Sequence, residues 1–541
     1  MNALSPLLTR LKALAALPIH TVTWGLVVIF SVWIVLDMTY LKISSGLSQT
    51  TYDAMVRNRL IAAAPDPRLV IVDIDEASLA RMSREFGRWP WPRDTLASVQ
   101  DFIEKEGPAA IVWDIAFADA DRLSPGGDAA FNESAKRSLH SHYSVVRLPH
   151  ANDHLSQLTH THLPSLWIKP ASKEIKPATL ALIAPVLPNV AASKLGYNNG
   201  YPDSDGVLRR YRYSEDLHDG STIQSSPLSV AKSLSPRLAE VITQLPKVLD
   251  KHGADSGTLV VWRKHADAYP KISFADVFAK AEGAQPLSQI PSFAGKVVVI
   301  GSTAPSLHDI HPTPLAAFQP GVESLATALD NALNERFIAE VPRLVQVLMA
   351  IGLCAALAFW VRRFGIASLD GALVILPGAL LGVSYFSLNV LPVFIDLQLA
   401  AGAALLFLAA LRAWNNFRRN YWCDVPESMT QTAMPMAVMG LRSSSDQPIA
   451  DTGLDHLMDL LERHASHCRV VGGDVTSTWP SKLRWTELAC FAALYGPESQ
   501  LNQLKPTLPS HLRANEGVVL PSGHTKTDIA DAAVRVYSSL T

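Results

Sequence analysis

The chain has 541 residues, 48% of them apolar and 18% charged, with a formal charge of −2 and a mean hydropathy of +0.15. A charge this close to neutral excludes the basic footprint of a nucleic-acid-binding protein, and so apolar a composition with so little charge argues against a wholly soluble chain. The cysteines are Cys354, Cys423, Cys468 and Cys490, so residues 44–340 cannot hold a disulfide and must rest on their own core.

Residues 1–18 carry Arg10 and Lys12 and no acid. Residues 19–41 are almost entirely apolar and long enough to span roughly 30 Å of hydrocarbon as a helix. The run is long for a signal peptide and lacks a small-x-small cleavage site before Tyr40, so it reads as an uncleaved anchor.

Residues 44–340 are polar enough to be soluble. Short apolar runs at 69–74 and 110–115 end in carboxylates, Asp73 and Asp75 in one and Asp114 in the other. Between them, residues 93–106 place Leu96, Val99 and Ile103 on one helical face. Residues 145–146, 259–262 and 297–300 supply further strands, and the succession predicts an α/β layered domain. The runs at 69–74, 110–115 and 297–300 are expected to be neighbours in one sheet. Residues 148–190 are Pro-rich and read as loops. Gly301 closes the strand at 297–300, a turn with Pro305, Pro312, Pro314 and Pro320 follows, and residues 322–333 read as a helix.

Pro342 opens the first of three further apolar segments, at 342–361, 366–388 and 390–413. Arg362, Arg363, Arg412, Arg418 and Arg419 follow segment ends, and placing them inside with Arg10 and Lys12 gives one consistent topology. It has four transmembrane helices in the cell (inner) membrane, both termini cytoplasmic, and residues 44–340 outside. Gly378 and Gly382 have the spacing of a close helix contact, although lone glycine pairs in apolar runs are common. Residues 420–541 read as a small cytoplasmic α/β domain, with strands at 436–441 and 469–471 and helices at 454–464, 485–494 and 529–537.

Several blocks of the outer region match a known pattern. They include Asp73, Asp75, Glu76 and Ser78; Gly87, Trp89, Pro90, Trp91, Pro92 and Arg93; and Asp114 with Phe117. Further along are Gly196 and Tyr197; Asp203, Asp205, Gly206, Arg209 and Arg210; and Gly301, Ser302, Thr303, Asp309, Pro312, Pro314, Pro320, Gly321 and Glu323. With one apolar segment before and three after, residues 45–335 resemble the type-two CHASE domain, an extracytoplasmic sensory module of bacterial receptors. Trp113 departs from the pattern, where a smaller residue is usual. The resemblance implies perception of a signal outside the membrane, leaves the ligand undefined, and normally implies a C-terminal output domain such as a cyclase or kinase.

Ligands gather at the carboxyl ends of strands in α/β sheets. The candidate ligand-binding residues are therefore Asp73, Asp75, Glu76 and Asp114, with Arg93, Ser302, Thr303 and Asp309 from the matching blocks. Asp75 and Glu76 equally suit a helix cap near Ala77. Trp89, Pro90, Trp91 and Pro92 form a rigid aromatic turn whose expected role is structural. His140, His142, His150, His154, His160 and His162 have spacings able to hold a transition metal, although the family resemblance does not support one. Residues 420–541 contain no phosphate loop and no kinase catalytic loop. Gly472, Gly473 and Asp474 resemble part of a diguanylate cyclase signature, but Val475 stands where an acid is needed, so a turn is the simpler reading. Trp479, Pro480, Trp485 and the turn at Pro521 to His524 are read as core and loop rather than a pocket.

The sequence thus predicts a membrane receptor with no catalytic residues and no cofactor. Its expected partners are the lipid bilayer, a second copy of the chain, an unidentified extracytoplasmic ligand and a cytoplasmic effector, with no nucleic acid. The signal is expected to pass along residues 322–333 into the second membrane helix. The competing readings are an enzyme with an unrecognised site in residues 420–541 and a scaffold that recruits a separate effector.

Overall fold

The computed structural model describes residues 17, 19–122, 124, 126–169, 178–246, 256–364, 369, 371–443, 451–471, 491–508, 510 and 512–540. Arg10, Lys12, Gly472, Gly473, Asp474, Val475, Trp479, Pro480, Trp485 and Cys490 lie outside them.

The chain divides into two units, one of them Ser45–Pro342 with Val383–Asp396. Helix α1 (Ile19–Leu36) ends in a π-helical turn, Asp37–Leu41. The buried Asp37 carboxylate, an exception within the apolar run, accepts the Ile43 N–H at 2.9 Å and so caps α2 (Ile43–Arg57). The α/β core follows as β1 (Leu69–Asp73), α3 (Glu76–Phe86), α4 (Arg93–Lys105), β2 (Ala110–Ala116), α5 (Gly127–Arg137) and β3 (Ser141–Arg147). Then come β4 (Lys194–Tyr197), β5 (Arg210–Tyr211), α6 (Ser226–Leu234), β6 (Thr258–Leu259), β7 (Lys271–Ser273) and α7 (Phe274–Ala281). The core ends with β8 (Val297–Gly301), α8 (Gly321–Leu333) and β9 (Ala339–Glu340).

Strands β7, β1, β8, β2, β3 and β4 pair in that order, all parallel, and Leu182–Ile183 adds an antiparallel strand to β3. The expected neighbours are indeed neighbours. Every residue of β1 and β8 is buried, because helices cover both faces. Val70, Val72 and Ile74 pack with α3, α4, α5 and α7, whereas Leu69 and Ile71 pack with α2, α6 and α8. All of α8 is buried, so it is a central element rather than a surface helix. Trp113 fits because its indole N–H reaches Gln100 Oε1 at 2.8 Å, which also accepts the Tyr143 hydroxyl at 2.9 Å.

Two expectations for this unit need correction. The loops at 148–190 contain short strands at Trp167–Lys169 and Leu182–Ile183 and a helical turn at Pro188–Ala192, all too short to show periodicity. The strand at 259–262 is only β6; Val260 instead donates to the Arg209 carbonyl at 3.0 Å.

Four helices among the described residues are long and apolar enough to cross a membrane. After α1 they are α9 (Arg343–Phe364), α10 (Ala372–Val390) and, beyond β10 (Val393–Phe394), α11 (Gln398–Cys423). The segment expected at 390–413 therefore starts late: Val390 ends α10, Pro392 interrupts the helix, and β10 pairs with β9. A Cβ added at Gly378 or Gly382 meets nothing within 4 Å, so among the described residues these glycines mediate no close helix contact. Val27, Ile34, Val347, Ala350 and Phe407 form the shared core of α1, α9 and α11.

The C-terminal region contains β11 (Met436–Ser443), α12 (Asp451–His464), β12 (Arg469–Val471), β13 (Phe491–Pro497), β14 (Leu512–Ala514), β15 (Val518–Leu520) and α13 (Lys526–Leu540). Its antiparallel sheet runs β12, β13, β11, β14, with β15 also on β11, a ferredoxin-like order. The helix expected at 485–494 is corrected, because residues 491–494 belong to β13. His524 lies against Tyr495, whose hydroxyl is 2.7 Å from His524 Nε2.

Candidate functional site

Parallel register brings the candidate carboxylates to one edge. Asp73 pairs with Gly301, and Ile300 with Trp113, so Asp73 and Gly301 end two adjacent strands and Asp114 follows Trp113, the last residue of β2 to pair with β8. By strand alternation the Asp73 and Asp114 side chains share the α8 face with Ile71, Val299 and Val112.

Five predicted residues interlock around Asp73. Its carboxylate accepts the Thr303 N–H at 2.9 Å and the Thr303 hydroxyl at 2.6 Å. Burial pushes the Asp73 pKa up, with help from Asp75 and against the Thr303 bonds. Ser302 donates to the Ile74 carbonyl at 2.7 Å. Asp75 caps α3 by accepting the Ser78 N–H at 2.6 Å, and the exposed Glu76 accepts the Ser306 N–H at 3.0 Å. These bonds fasten the segment after β8 onto the end of β1.

Asp114 and Asp309 form a second group. Asn198 donates to Asp114 Oδ1 at 2.6 Å. Burial, reinforced by the charge of Asp309, raises the Asp114 pKa to about 7. Burial also raises Asp309, which His311 opposes. Two glycines let α8 close onto this edge. A Cβ at Gly301 would lie 2.8 Å from Val322 Cγ2 and 3.1 Å from Asp114 Cβ, and one at Gly321 would overlap the Asp309 carboxylate.

Arg93 belongs to neither group. Its backbone N–H reaches Asp121 Oδ2 at 2.8 Å, its Nε pairs with Asp128 at 2.9 Å, and its guanidinium lies 5.0 Å from the Phe117 ring centroid. The structure does not gather the six histidines. His140 pairs with Glu104 at 2.8 Å and His150 with Asp153 at 2.6 Å, while His162 faces Thr159. His142 is buried between Ser229 and Ser233, and burial lowers its pKa to about 3. His154 and His160 are exposed. Among the described residues, no three His, Cys, Asp or Glu side chains come together as a metal site. An open cleft of about 590 Å³ between α3, α4 and α7, with Arg81, Phe86, Asp94 and Phe278 in its walls, contains none of the predicted residues.

Sequence reasoning missed the role of Arg209 and Arg210. Arg209, 2% exposed, donates two bonds to Asp53 on α2, each 2.8 Å, and reaches Asp205 at 2.7 Å and Asp203 at 3.0 Å. Arg210 reaches Asp203 at 2.7 Å and Glu340 on β9 at 2.7 Å. Burial opposes both guanidinium charges, but their carboxylate partners prevail and raise both pKa values. The segment following α1 and the segment preceding α9 are thus joined through Asp203. The link between α10 and α11 is fastened to the same segments. Glu340 pairs with Phe394, Ser48 hydrogen-bonds Asp396, and the Tyr52 and Phe394 rings are 5.6 Å apart.

A family model of the CHASE2 domain matches residues 27–362, from within α1 to within α9. The chain belongs to the CHASE2 domain family. CHASE2 domains are extracytoplasmic sensory domains, so the α/β unit is a sensor module. No curated protein and no solved structure matches this chain. Asp203, Asp205, Arg209 and Arg210, known from sequence only as a motif, are in this CHASE2 domain the ion cluster between its first and last segments.

Proposed function

We propose that the protein is a multi-pass membrane receptor. Its CHASE2 domain lies outside the cell membrane and both termini lie in the cytoplasm. It works as a homodimer and passes its signal to the C-terminal domain or to a cytoplasmic effector that binds there. The observation that carries this reading is the Arg209–Arg210 cluster. It ties α2, which continues from α1, to β9, which leads into α9. Rearrangement of the CHASE2 core is thereby felt at both crossings together, which a transmembrane signal requires. The fully buried α8 fits this role, since a close-packed helix moves only with its surroundings. Exposed Val28, Ile29, Leu348, Val374 and Ile375 on α1, α9 and α10 give the apolar surface a bilayer would cover.

Cysteine labelling in cells tests the topology. Gln157 and Ser522 are exposed, and each is changed singly to cysteine after the native cysteines are replaced by alanine. An impermeant maleimide should label Gln157→Cys in intact cells and Ser522→Cys only after the cell membrane is opened. The opposite pattern would overturn the reading.

A further inference from the structure

Residues 60–65, LIAAAP, lie between α2 and β1, carry no charge and form neither helix nor strand. Leu60 is 86% exposed and Ile61 67%, against 78% for Val374 on the apolar α10. A lone exposed leucine needs no explanation, but two adjacent large apolar side chains opening an uncharged run do. Hydrogen bonds fix where this run starts. The Leu60 N–H donates to the Tyr385 hydroxyl at 3.2 Å, and that hydroxyl lies 2.8 Å from the Asn58 carbonyl, to which it donates. The Arg59 guanidinium donates to the Leu388 carbonyl at 3.2 Å and to the Trp262 carbonyl at 3.2 Å. Tyr385 and Leu388 lie in the last two turns of α10, before its end at Val390. A helical side chain leans toward the N-terminus of its helix. The Tyr385 hydroxyl, and the backbone it holds, therefore lie beside α10 and not beyond its end. With 19 residues, α10 is about 28 Å long, close to the roughly 30 Å of a hydrocarbon core. On the receptor reading, on which this inference rests, its end lies near the outer boundary of that core, and residues 58–60 lie level with its last turns.

We propose that residues 60–64 dip into the outer leaflet of the bilayer beside α10, so that the CHASE2 domain itself binds a phospholipid surface. Leu60 and Ile61 reach the boundary between headgroups and acyl chains, and the exposed Arg57 at the end of α2 offers a cation to the phosphates. The polar groups of the loop suit that depth. In water the Leu60 N–H and the Asn58 carbonyl are free to be solvated, whereas near hydrocarbon each needs a partner, and the single Tyr385 hydroxyl serves both. Tyrosine is also a side chain that favours the headgroup level. Val383, Phe386 and Val390, on the same turns of α10 as Tyr385, are exposed as well, so the apolar surface of the loop adjoins that of the helix. The loop directly follows α2, which carries Asp53 of the Arg209 cluster. Lipid packing in the outer leaflet thereby bears on the same segments that couple the crossings.

Spin labelling of the full chain in phospholipid nanodiscs tests this. With the native cysteines replaced by alanine, Leu60→Cys and Ile61→Cys are labelled singly with a nitroxide; both side chains are exposed, so neither change removes core packing. Gln157→Cys serves as the water reference and Val374→Cys as the hydrocarbon reference. The readout is the ratio of collisions with oxygen, which concentrates in lipid, to collisions with a water-soluble nickel chelate. At Leu60→Cys and Ile61→Cys the ratio should be severalfold above that at Gln157→Cys and approach that at Val374→Cys. The proposal is overturned if both loop labels give the Gln157→Cys ratio while Val374→Cys reports hydrocarbon, a result that leaves the receptor reading standing. It is also overturned if the loop labels are shielded from both reagents and broadened by a neighbouring nitroxide, which would place a second copy of the chain there. A water-like ratio at Val374→Cys would remove the receptor reading, and this proposal with it.

Discussion

The CHASE2 domain handles buried charge in two opposite ways. Around Arg209 and Arg210, four carboxylates surround two guanidinium groups with almost every donor satisfied. At the strand ends, Asp73 and Asp114 are held mainly by neutral donors, Thr303 and Asn198, and their pKa values rise. Compensated charge fixes one arrangement of the chain. Uncompensated charge stores free energy that a proton or a cation can release. On the receptor reading proposed above, the first region would transmit a change and the second would receive one.

The largest effect should come from breaking the compensated region. Arg209→Ala leaves Asp53, Asp203 and Asp205 without their shared cation and should cost about 3–5 kcal/mol in urea unfolding of the full chain. A cost below about 1 kcal/mol would mean that the cluster is a surface-type pair.

The next effect is steric and acts where α8 meets the strand ends. Gly301→Ala places a methyl against Val322 and Asp114 and should cost about 1–3 kcal/mol. The same change at Gly352, where an added Cβ meets nothing within 4 Å, should lack this overpacking cost.

Asp114 gives a smaller effect with a diagnostic sign. Its pKa is about 7 in the fold and 3.8 ordinarily, so the folded state binds more protons between those values. Its contribution to stability therefore falls as pH rises from about 4 to about 7 and stays level above. Asp114→Asn removes this loss. It should stabilise the protein by on the order of 1–2 kcal/mol at pH 8, less the cost of any bond to Asn198, and much less at pH 4. Melting curves at the two pH values check it. The smallest expected effect is Asp75→Ala, which removes only the α3 cap and should cost about 1 kcal/mol at neutral pH.

Local pattern made much of this legible. The β-branched run from Val297 to Ile300 announced a strand buried on both faces, and the acids at 73 and 114 lie toward the carboxyl ends of its two neighbouring strands. Hydropathy also found four membrane-length helices, but it ran through Pro392 and Asp396 because an apolar average does not register a two-residue strand such as β10. The helix expected at 485–494 failed similarly, since residues 491–494 are apolar enough for either element. The Arg209 cluster was hidden for a different reason. Its partner Asp53 is 156 residues away, and spacing within a motif says nothing about a contact that the sheet topology creates. The histidines misled because each takes a different partner: His142 takes Ser229 and Ser233, His140 takes Glu104, and His150 takes Asp153.

The central claim is that the two crossings are coupled through one ion cluster, and amide hydrogen exchange on the full chain in nanodiscs tests it directly. Arg209→Lys keeps the charge but loses the planar fork that holds Asp53 and Asp205 together. The account predicts faster exchange in residues 45–57 and 336–342 together, although these segments are far apart in sequence. Faster exchange confined to residues 203–211, with both crossing segments at wild-type rates, would contradict it.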